Sequence, residues 1–390
     1  MNKAPAAEQR FSALDGWRGW SSLVVVLFHL FAVDHFSDTS FLRNCYLFVD
    51  FFFVLSGFVI THAFGDRIDD LRSAAAFAVR RFGRMWPMHA FMLFMFLGLR
   101  LALAALGHGP VFNSEYSAGS FLTNLLMIQS LGVHNRLTWN GPSWSISVEF
   151  YTYLVFALLL LLAGRRRALP VFAVVSLFGL VVVAAVSKRY MGVTYDFGIF
   201  RGLYGFFAGA CARILSRGWT RQGYAAATAV EGVLTITALV LICVGANFSF
   251  AAPPLFAALV VVLSLEGGAV SQVLGSPPLR RLGDWSYSIY LLHAFIVNLI
   301  VQAALWLEAR GVPTFQPMLR DGVQVGKRLY LGSVWRTDIL SLSYLLLVIL
   351  LASQTYRYIE VPARLWFNRL AKERLGAPRR IMAAPEVPPL

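Results

Sequence analysis

Apolar runs long enough to cross a bilayer recur from residue 11 to residue 358. The hydrocarbon layer takes about 20 residues of helix, and inside it each backbone N–H and C=O must be paired within its own segment. A chain built from such runs is confined to a helix bundle. The runs lie at about 11–31, 45–64, 86–106, 143–163, 168–187, 199–215, 225–246, 251–265, 286–307 and 339–358. The expectation is an all-α polytopic membrane protein with about ten transmembrane helices. Composition agrees. The chain is 58% hydrophobic and 14% charged, whereas soluble domains carry about a quarter charged residues.

One apolar stretch, FLTNLLMIQSL at 121–131, is too short to span and contains Asn124 and Gln129. It reads as a re-entrant or interfacial segment. With that segment not crossing, Arg165, Arg166 and Arg167 fall on the side of the N-terminus. Most of the 34 lysines and arginines share that side, which is the positive-inside bias. Both termini are therefore expected on the cytoplasmic side of the membrane. The first run is too long for a signal-peptide core and lacks a small-residue cleavage site, so it is expected to be retained. The reading divides the chain into a tail at 1–10, a membrane domain at 11–367 and a basic, partly disordered tail at 368–390. Residues 65–85 read as a basic loop, and the polar segment 308–338 as a lid or acceptor-binding loop. Cys45, Cys211 and Cys243 are scattered and suggest neither disulfides nor a metal site. The net charge of +14 is assigned to topology and membrane lipid, not to nucleic acid, because the aromatic residues lie in the apolar runs and not among the basic ones.

Ionisable residues inside the runs point to function, since polar groups in lipid are costly and turn toward a protein interior or a water-filled cavity. Asp15, Arg18, Ser22 and His29 fall within a stripe roughly 60° wide on the first helix. Arg18 and His29 share a face about 16 Å apart along the axis. Asp50 and Glu149 lie on the second and fourth helices at a depth similar to His29, roughly 6 to 9 Å from one end. A carboxylate beside an imidazole orients it and strengthens it as a base. The alternative is a hydrogen-bonded histidine that only fixes helix packing. Arg81 and Arg84, one turn apart, could converge on one phosphate. The alternative there is positive-inside charge meeting lipid head groups. Tyr290 and His293 put an aromatic and an imidazole on nearby faces of the ninth helix. Tyr356, Glu360 and Arg364 read as a salt-bridged helix end.

Six blocks then resemble the membrane acyltransferase-3 family, in the family's order from about residue 11 to 367: FSALDGWRGWSSLVVVLFH, FVDFFFVLSGFVI, RRFGRMWP, NGPSWSISVEFY, LGDWSYSIYLLH and YIEVPARLW. The resemblance implies an integral-membrane enzyme that moves an acyl group, usually acetyl, from cytoplasmic acyl-CoA to a hydroxyl, commonly of a carbohydrate. Arg18 and His29 match the family's essential Arg–His pair, Arg81 and Arg84 its Arg-x-x-Arg motif, and Glu149 the glutamate of its Trp-Ser-x-Ser-x-Glu segment. Trp17 stands where the family more often has Leu or Ile. No esterase-like domain is appended, so a single-domain mechanism is expected.

On this reading His29, Glu149 and Asp50 are catalytic, with His29 deprotonating the acceptor or accepting the acyl group itself. Arg18, Arg81 and Arg84 bind acyl-CoA, a co-substrate and not a tightly held cofactor. Asp15, Ser22, Trp144, Tyr290 and His293 contact substrate, and no metal is expected. The competing reading is a transporter or flippase for a lipid-linked sugar, whose polar stripe would be a permeation path. No internal repeat of the transporter kind is visible in the sequence.

Overall fold

The computed structural model describes residues 10–320 and 323–376. The expectations for 1–9 and 377–390 lie outside the described residues. Ten helices form the bundle: α1 (Ser12–Phe28), α2 (Phe48–Phe64), α3 (Leu71–Ala105), α4 (Trp144–Ala163), α5 (Ala168–Val186), α6 (Gly198–Leu215), α7 (Tyr224–Val244), α8 (Ala252–Ser264), α9 (Pro277–Glu308) and α10 (Val334–Thr355). Each falls on one of the ten apolar runs. Eight are long and apolar enough to cross a membrane, by length and composition; the others are α1, with 17 residues, and α6, with 18. The apolar window of α2 is 72% buried and those of α5 and α7 only 22%. So α2 runs through the middle of the bundle, and α5 and α7 turn most of their surface outward.

Two crossings depend on glycine. A Cβ on Gly283 of α9 would lie 2.1 Å from the Asp15 carbonyl oxygen of α1, and one on Gly57 of α2 would lie 1.8 Å from the Phe206 carbonyl oxygen of α6. Without a hydrophobic drive between helices in lipid, such backbone contact is what makes them associate. The α1–α9 crossing also sets Arg18 against α9.

The region expected as a basic loop is helix. An Asp70–Ser73 capping box starts α3 at Leu71, and the helix continues for 35 residues through Pro87. Arg80, Arg81 and Arg84 therefore ride on a helix face held at fixed angles. The short segment near 121–131 contains an eight-residue helix, Ala118–Leu125, that does not span. Carbonyls at its end are met by side chains of the bundle: Asn124 by His89 Nε2 (2.7 Å), Leu125 by Trp86 Nε1 (2.8 Å) and Leu126 by the Tyr151 hydroxyl (3.3 Å). Irregular backbone at this depth is tolerated because protein groups satisfy it.

At its far end α10 widens into a π-turn, Tyr356–Glu360, and continues as α11, Val361–Leu375. Pro362 explains the widening: it has no N–H for the carbonyl four residues back, and its ring crowds that turn. The segment 308–338, expected as an irregular loop, contains an antiparallel hairpin of β1 (Phe315–Arg320) and β2 (Val323–Leu329). Leu329 pins the hairpin to the chain just behind α1: its N–H donates to Phe31 O (3.0 Å) and its carbonyl accepts from Val33 N–H (2.8 Å). Phe31 is held there at φ +50°, a left-handed conformation uncommon for a bulky residue.

Candidate active site

A cavity of about 590 Å³ opens between α1, α2, α3, α4 and α9. Its mouth, at the start of α1, is lined by Arg10, Asp15, Arg18, Arg84, Asp284 and Arg364. Its wall on α2 runs from Ile60 back to Val49, eleven residues or about 16 Å at the α-helical rise. The largely buried Val49, Phe52, Ser145 and Tyr290 line its inner end, opposite the arginine end.

Arg18 is clasped from three sides. Asp15 lies 2.9 Å away, the Gly283 carbonyl accepts at 2.8 Å, and Ser286 Oγ accepts at 3.0 Å. Arg10 bridges Asp15 and Asp284, at 2.6 Å each. Burial works against the Arg10 charge, but the two carboxylates outweigh it and hold its proton more tightly than usual. Arg84 faces Glu360 at 3.5 Å. Glu360 is 1% exposed, accepts from Ser288 Oγ at 3.1 Å through one oxygen, and has no hydrogen bond on the other. Arg81 differs from both. It makes no hydrogen bond or ion pair among the described residues and lies over the Phe64 ring, 5.1 Å from its centroid. A cation without an acidic partner at the wall of a cavity is suited to an anion brought in from outside. Deeper in, Glu149 accepts from the hydroxyls of Ser56 and Tyr153.

Past the inner end, outside the cavity lining, lies a pair of histidines. His29 caps α1, and its ring centroid is 4.7 Å from that of His293 on α9. Tyr290 connects the pair to the cavity. It lines the cavity wall, its ring lies 5.7 Å from His293, and its hydroxyl is fixed between Ser145 Oγ (2.8 Å) and the Pro142 carbonyl (2.9 Å). His29 Nδ1 is 2.8 Å from the Val25 carbonyl oxygen. A carbonyl only accepts, so Nδ1 carries the proton and Nε2 keeps its lone pair. A backbone carbonyl therefore orients this imidazole, where a carboxylate was expected.

That corrects the geometry expected for Asp50 and Glu149, neither of which pairs with His29. Asp50 is held by Arg201 of α6 through two bonds of 2.8 and 2.7 Å, with both residues almost fully buried. Arg201 also donates to the carbonyls of Val193 and Tyr46 and lies over the Trp144 ring. Asp50 and Trp144 thus belong to one structural cluster, and neither lines the cavity. Ser22 is fully buried and donates to the Gly19 carbonyl of its own helix. Of the expected site residues, the cavity brings together Asp15, Arg18, Arg81, Arg84, Glu149 and Tyr290. Sequence reasoning missed Arg201, although an arginine within an apolar run is itself a signal. It also read Glu360 as part of a salt-bridged helix end with Arg364, whereas Glu360 turns inward to face Arg84; Pro362 was the sign of a distorted turn.

The chain matches the family described as "Acyltransferase domain" over residues 11–316. It belongs to this acyltransferase family. Among its relatives, "Acyltransferase MdmB" of Streptomyces mycarofaciens is 26% identical over 75% of this chain and 81% of its own length. "Exopolysaccharide production protein ExoZ" of Rhizobium meliloti is 28% identical over 73% of this chain and 86% of its own. "Peptidoglycan O-acetyltransferase OatA" of Listeria monocytogenes is 24% identical over 75% of this chain, which spans about half of that longer protein. No solved structure matches. The protein is a multi-pass membrane acyltransferase.

Proposed function

We propose that this acyltransferase moves an acyl group, most simply acetyl, from acyl-CoA to a hydroxyl of a carbohydrate such as an exopolysaccharide, an O-antigen or a lipid-linked sugar. The observation that carries the donor is Arg81, a cavity-lining arginine with no hydrogen bond or ion pair among the described residues, beside Arg18 and Arg84. Three guanidinium groups at one mouth suit a pyrophosphate. The cavity's roughly 16 Å run along α2 suits an extended arm that carries a thioester toward His29. The relatives' printed activities support the acceptor class. The arginine end is then cytoplasmic, in the inner membrane of a bacterium, in keeping with the lysine and arginine asymmetry.

In this reading acyl-CoA binds as a co-substrate through Arg18, Arg81 and Arg84. His29, fixed by Val25 with Nε2 available, takes the proton of the acceptor hydroxyl as its oxygen attacks the thioester carbonyl carbon. The C–S bond breaks, and the CoA thiolate leaves with that proton. The test uses the full chain in nanodiscs with radiolabelled acetyl-CoA, following binding and thiol release. Wild type is expected to bind and turn over, His29→Ala to bind without turnover, and Arg84→Ala to bind poorly. A folded His29→Ala variant that turns over at the wild-type rate removes His29 from the mechanism. Absence of acetyl-CoA binding and consumption by wild type removes the donor.

A further inference from the structure

A second, smaller pocket lies beyond the mouth of the cavity, on three of the elements that line the cavity itself. Arg72, Ala76 and Arg80 of α3 line it, and their spacing of four residues puts them on one face of the helix. The end of α2 adds Phe64 and Arg67, and the end of α11 adds Leu375. The cavity is lined on the same elements by Ile60, Arg81 and Asn368. Phe64 is one turn past Ile60, Phe77 one turn before Arg81, and Leu375 two turns past Asn368. The two spaces share a wall. The rings of Phe64 and Phe77, 5.0 Å apart, line the pocket, and the guanidinium of Arg81, which lines the cavity, lies 5.1 and 6.0 Å from their centroids.

Size and charge both narrow what this pocket can hold. Its volume is about 170 Å³, the share of roughly six waters, which suits a phosphate group and not a whole nucleotide. Arg67, Arg72 and Arg80 outnumber the two carboxylates that also line it, Asp69 and Asp70. Those carboxylates are engaged already. Asp70 accepts from the Ser73 N–H at 2.7 Å in the capping box, and Asp69 accepts from Ser73 Oγ at 3.3 Å and faces Arg165 at 3.9 Å. Arg72 makes no hydrogen bond or ion pair among the described residues. A phosphate monoester carries about −1.5 to −2 charges at pH 7, and its oxygens match the forked donors of guanidinium groups. An anionic lipid head group shares that chemistry. The common wall with the cavity favours a ligand that occupies both spaces at once.

We infer that this pocket seats the 3′-phosphate of acyl-CoA, held by Arg67, Arg72 and Arg80 while Arg18, Arg81 and Arg84 hold the pyrophosphate. The inference rests on the acyl-CoA reading above and deepens it, by assigning a separate site to the nucleotide end of the donor. In CoA the pyrophosphate and the 3′-phosphate leave the same ribose, a few bonds apart. The turn of α3 that separates Phe77 from Arg81 rises about 5.4 Å, a span that one ribose can bridge. Once the pyrophosphate is seated, the second phosphate is presented at a high effective concentration. A group this remote from the thioester is bound equally in the ground and transition states, so it acts on KM more than on kcat. The pocket thus selects CoA thioesters over phosphopantetheine thioesters, which carry no 3′-phosphate.

The experiment compares acetyl-CoA with acetyl-3′-dephospho-CoA, by thiol release, in phosphatidylcholine nanodiscs. The proteins are full-length wild type, Arg72→Gln, Arg67→Gln combined with Arg72→Gln, and Arg166→Gln. The readout is the ratio of kcat/KM for the two donors within each protein, so a loss of folded fraction cancels. Wild type is expected to prefer acetyl-CoA at least about tenfold, through KM. Arg72→Gln is expected to lower that preference at least about threefold, and the double variant to bring it within about twofold of unity. Arg166 is exposed and lines neither space, so Arg166→Gln is expected to keep the wild-type ratio. A wild-type ratio near one overturns the inference and leaves the donor reading intact, because acetyl-CoA is still consumed. A ratio that survives in Arg72→Gln, or falls equally in Arg166→Gln, overturns it too. A second series with phosphatidylglycerol added separates the two phosphate sources. A wild-type preference that holds there keeps the pocket with CoA, and one that disappears gives the pocket to lipid and overturns the inference. If wild type consumes neither thioester, the acyl-CoA reading itself falls and takes the inference with it.

Discussion

Among the described residues two buried carboxylates face an arginine, and the two pairs are built to different standards. Asp50 and Arg201 meet through two bonds under 3 Å, and two of the three remaining guanidinium N–H groups are taken by the Val193 and Tyr46 carbonyls. Aromatic rings of Tyr46 and Trp144 cover its faces. Glu360 and Arg84 stand 3.5 Å apart, one carboxylate oxygen has no hydrogen bond, and the arginine faces a cavity. A pair bonded this fully, enclosed and away from the cavity, serves as a fixed joint between α2 and α6. The loose pair retains capacity, and that capacity points at the place where an anion would enter. Saturation, more than burial or charge, separates scaffold from site in this molecule.

The comparison can be broken most sharply at the saturated joint. Arg201→Ala leaves Asp50 charged and unpaired, and is expected to cost about 3–5 kcal/mol of stability. Thermal or denaturant unfolding in nanodiscs checks it, and the paired change Asp50→Leu with Arg201→Leu should recover most of the loss. A mild effect of the single change would mean that the joint is not a joint. Next in size, Arg84→Ala strands the buried Glu360 and should lower melting, though less than Arg201→Ala because this pair is longer and opens on the cavity, and it should weaken acetyl-CoA binding at least about tenfold, or 1.4 kcal/mol, by titration. Smaller again, Glu360→Gln removes the resident competitor for Arg84 and should tighten acetyl-CoA binding about two- to fivefold. Weaker binding would instead make Glu360 a positioning residue for Arg84. The smallest effect is expected at the mouth, where Arg10→Gln should shift stability by no more than about 1 kcal/mol because Arg10 is half exposed.

Those standards also mark what the amino-acid order discloses. Residues that must face away from lipid announce themselves by type, so Asp15, Arg18, His29, Asp50 and Glu149 are legible, as are the ten runs that carry them. What each residue meets is not legible. Asp50 finds its arginine 151 positions away, and nothing local distinguishes that partner from His29. The helix of Arg81 and Arg84 was hidden because Pro87 and the charges around it imitate a boundary, while the capping box that sets the true start lies at Asp70 and Ser73. Glu360 sits at regular i, i+4 spacing between Tyr356 and Arg364, and only the π-turn rotates it inward. The hairpin had a readable sign in the dipeptide Asp321-Gly322, a turn former, within a segment otherwise read as loop.

The crossing of α1 on α9 has a consequence for how the enzyme comes into being. Arg18 hydrogen-bonds a carbonyl 265 residues later in the chain. At ribosomal speeds of about 5–20 residues per second, the first helix waits roughly 13–50 s for the helix that completes it. Through that interval Arg18 has Asp15, one turn away, as a provisional companion, and His29 has its own backbone. Both arrangements are available to α1 alone. The helix α1 thus carries its own temporary neutralisation, and the crossing that seats Arg18 is assembled only once α9 has been made.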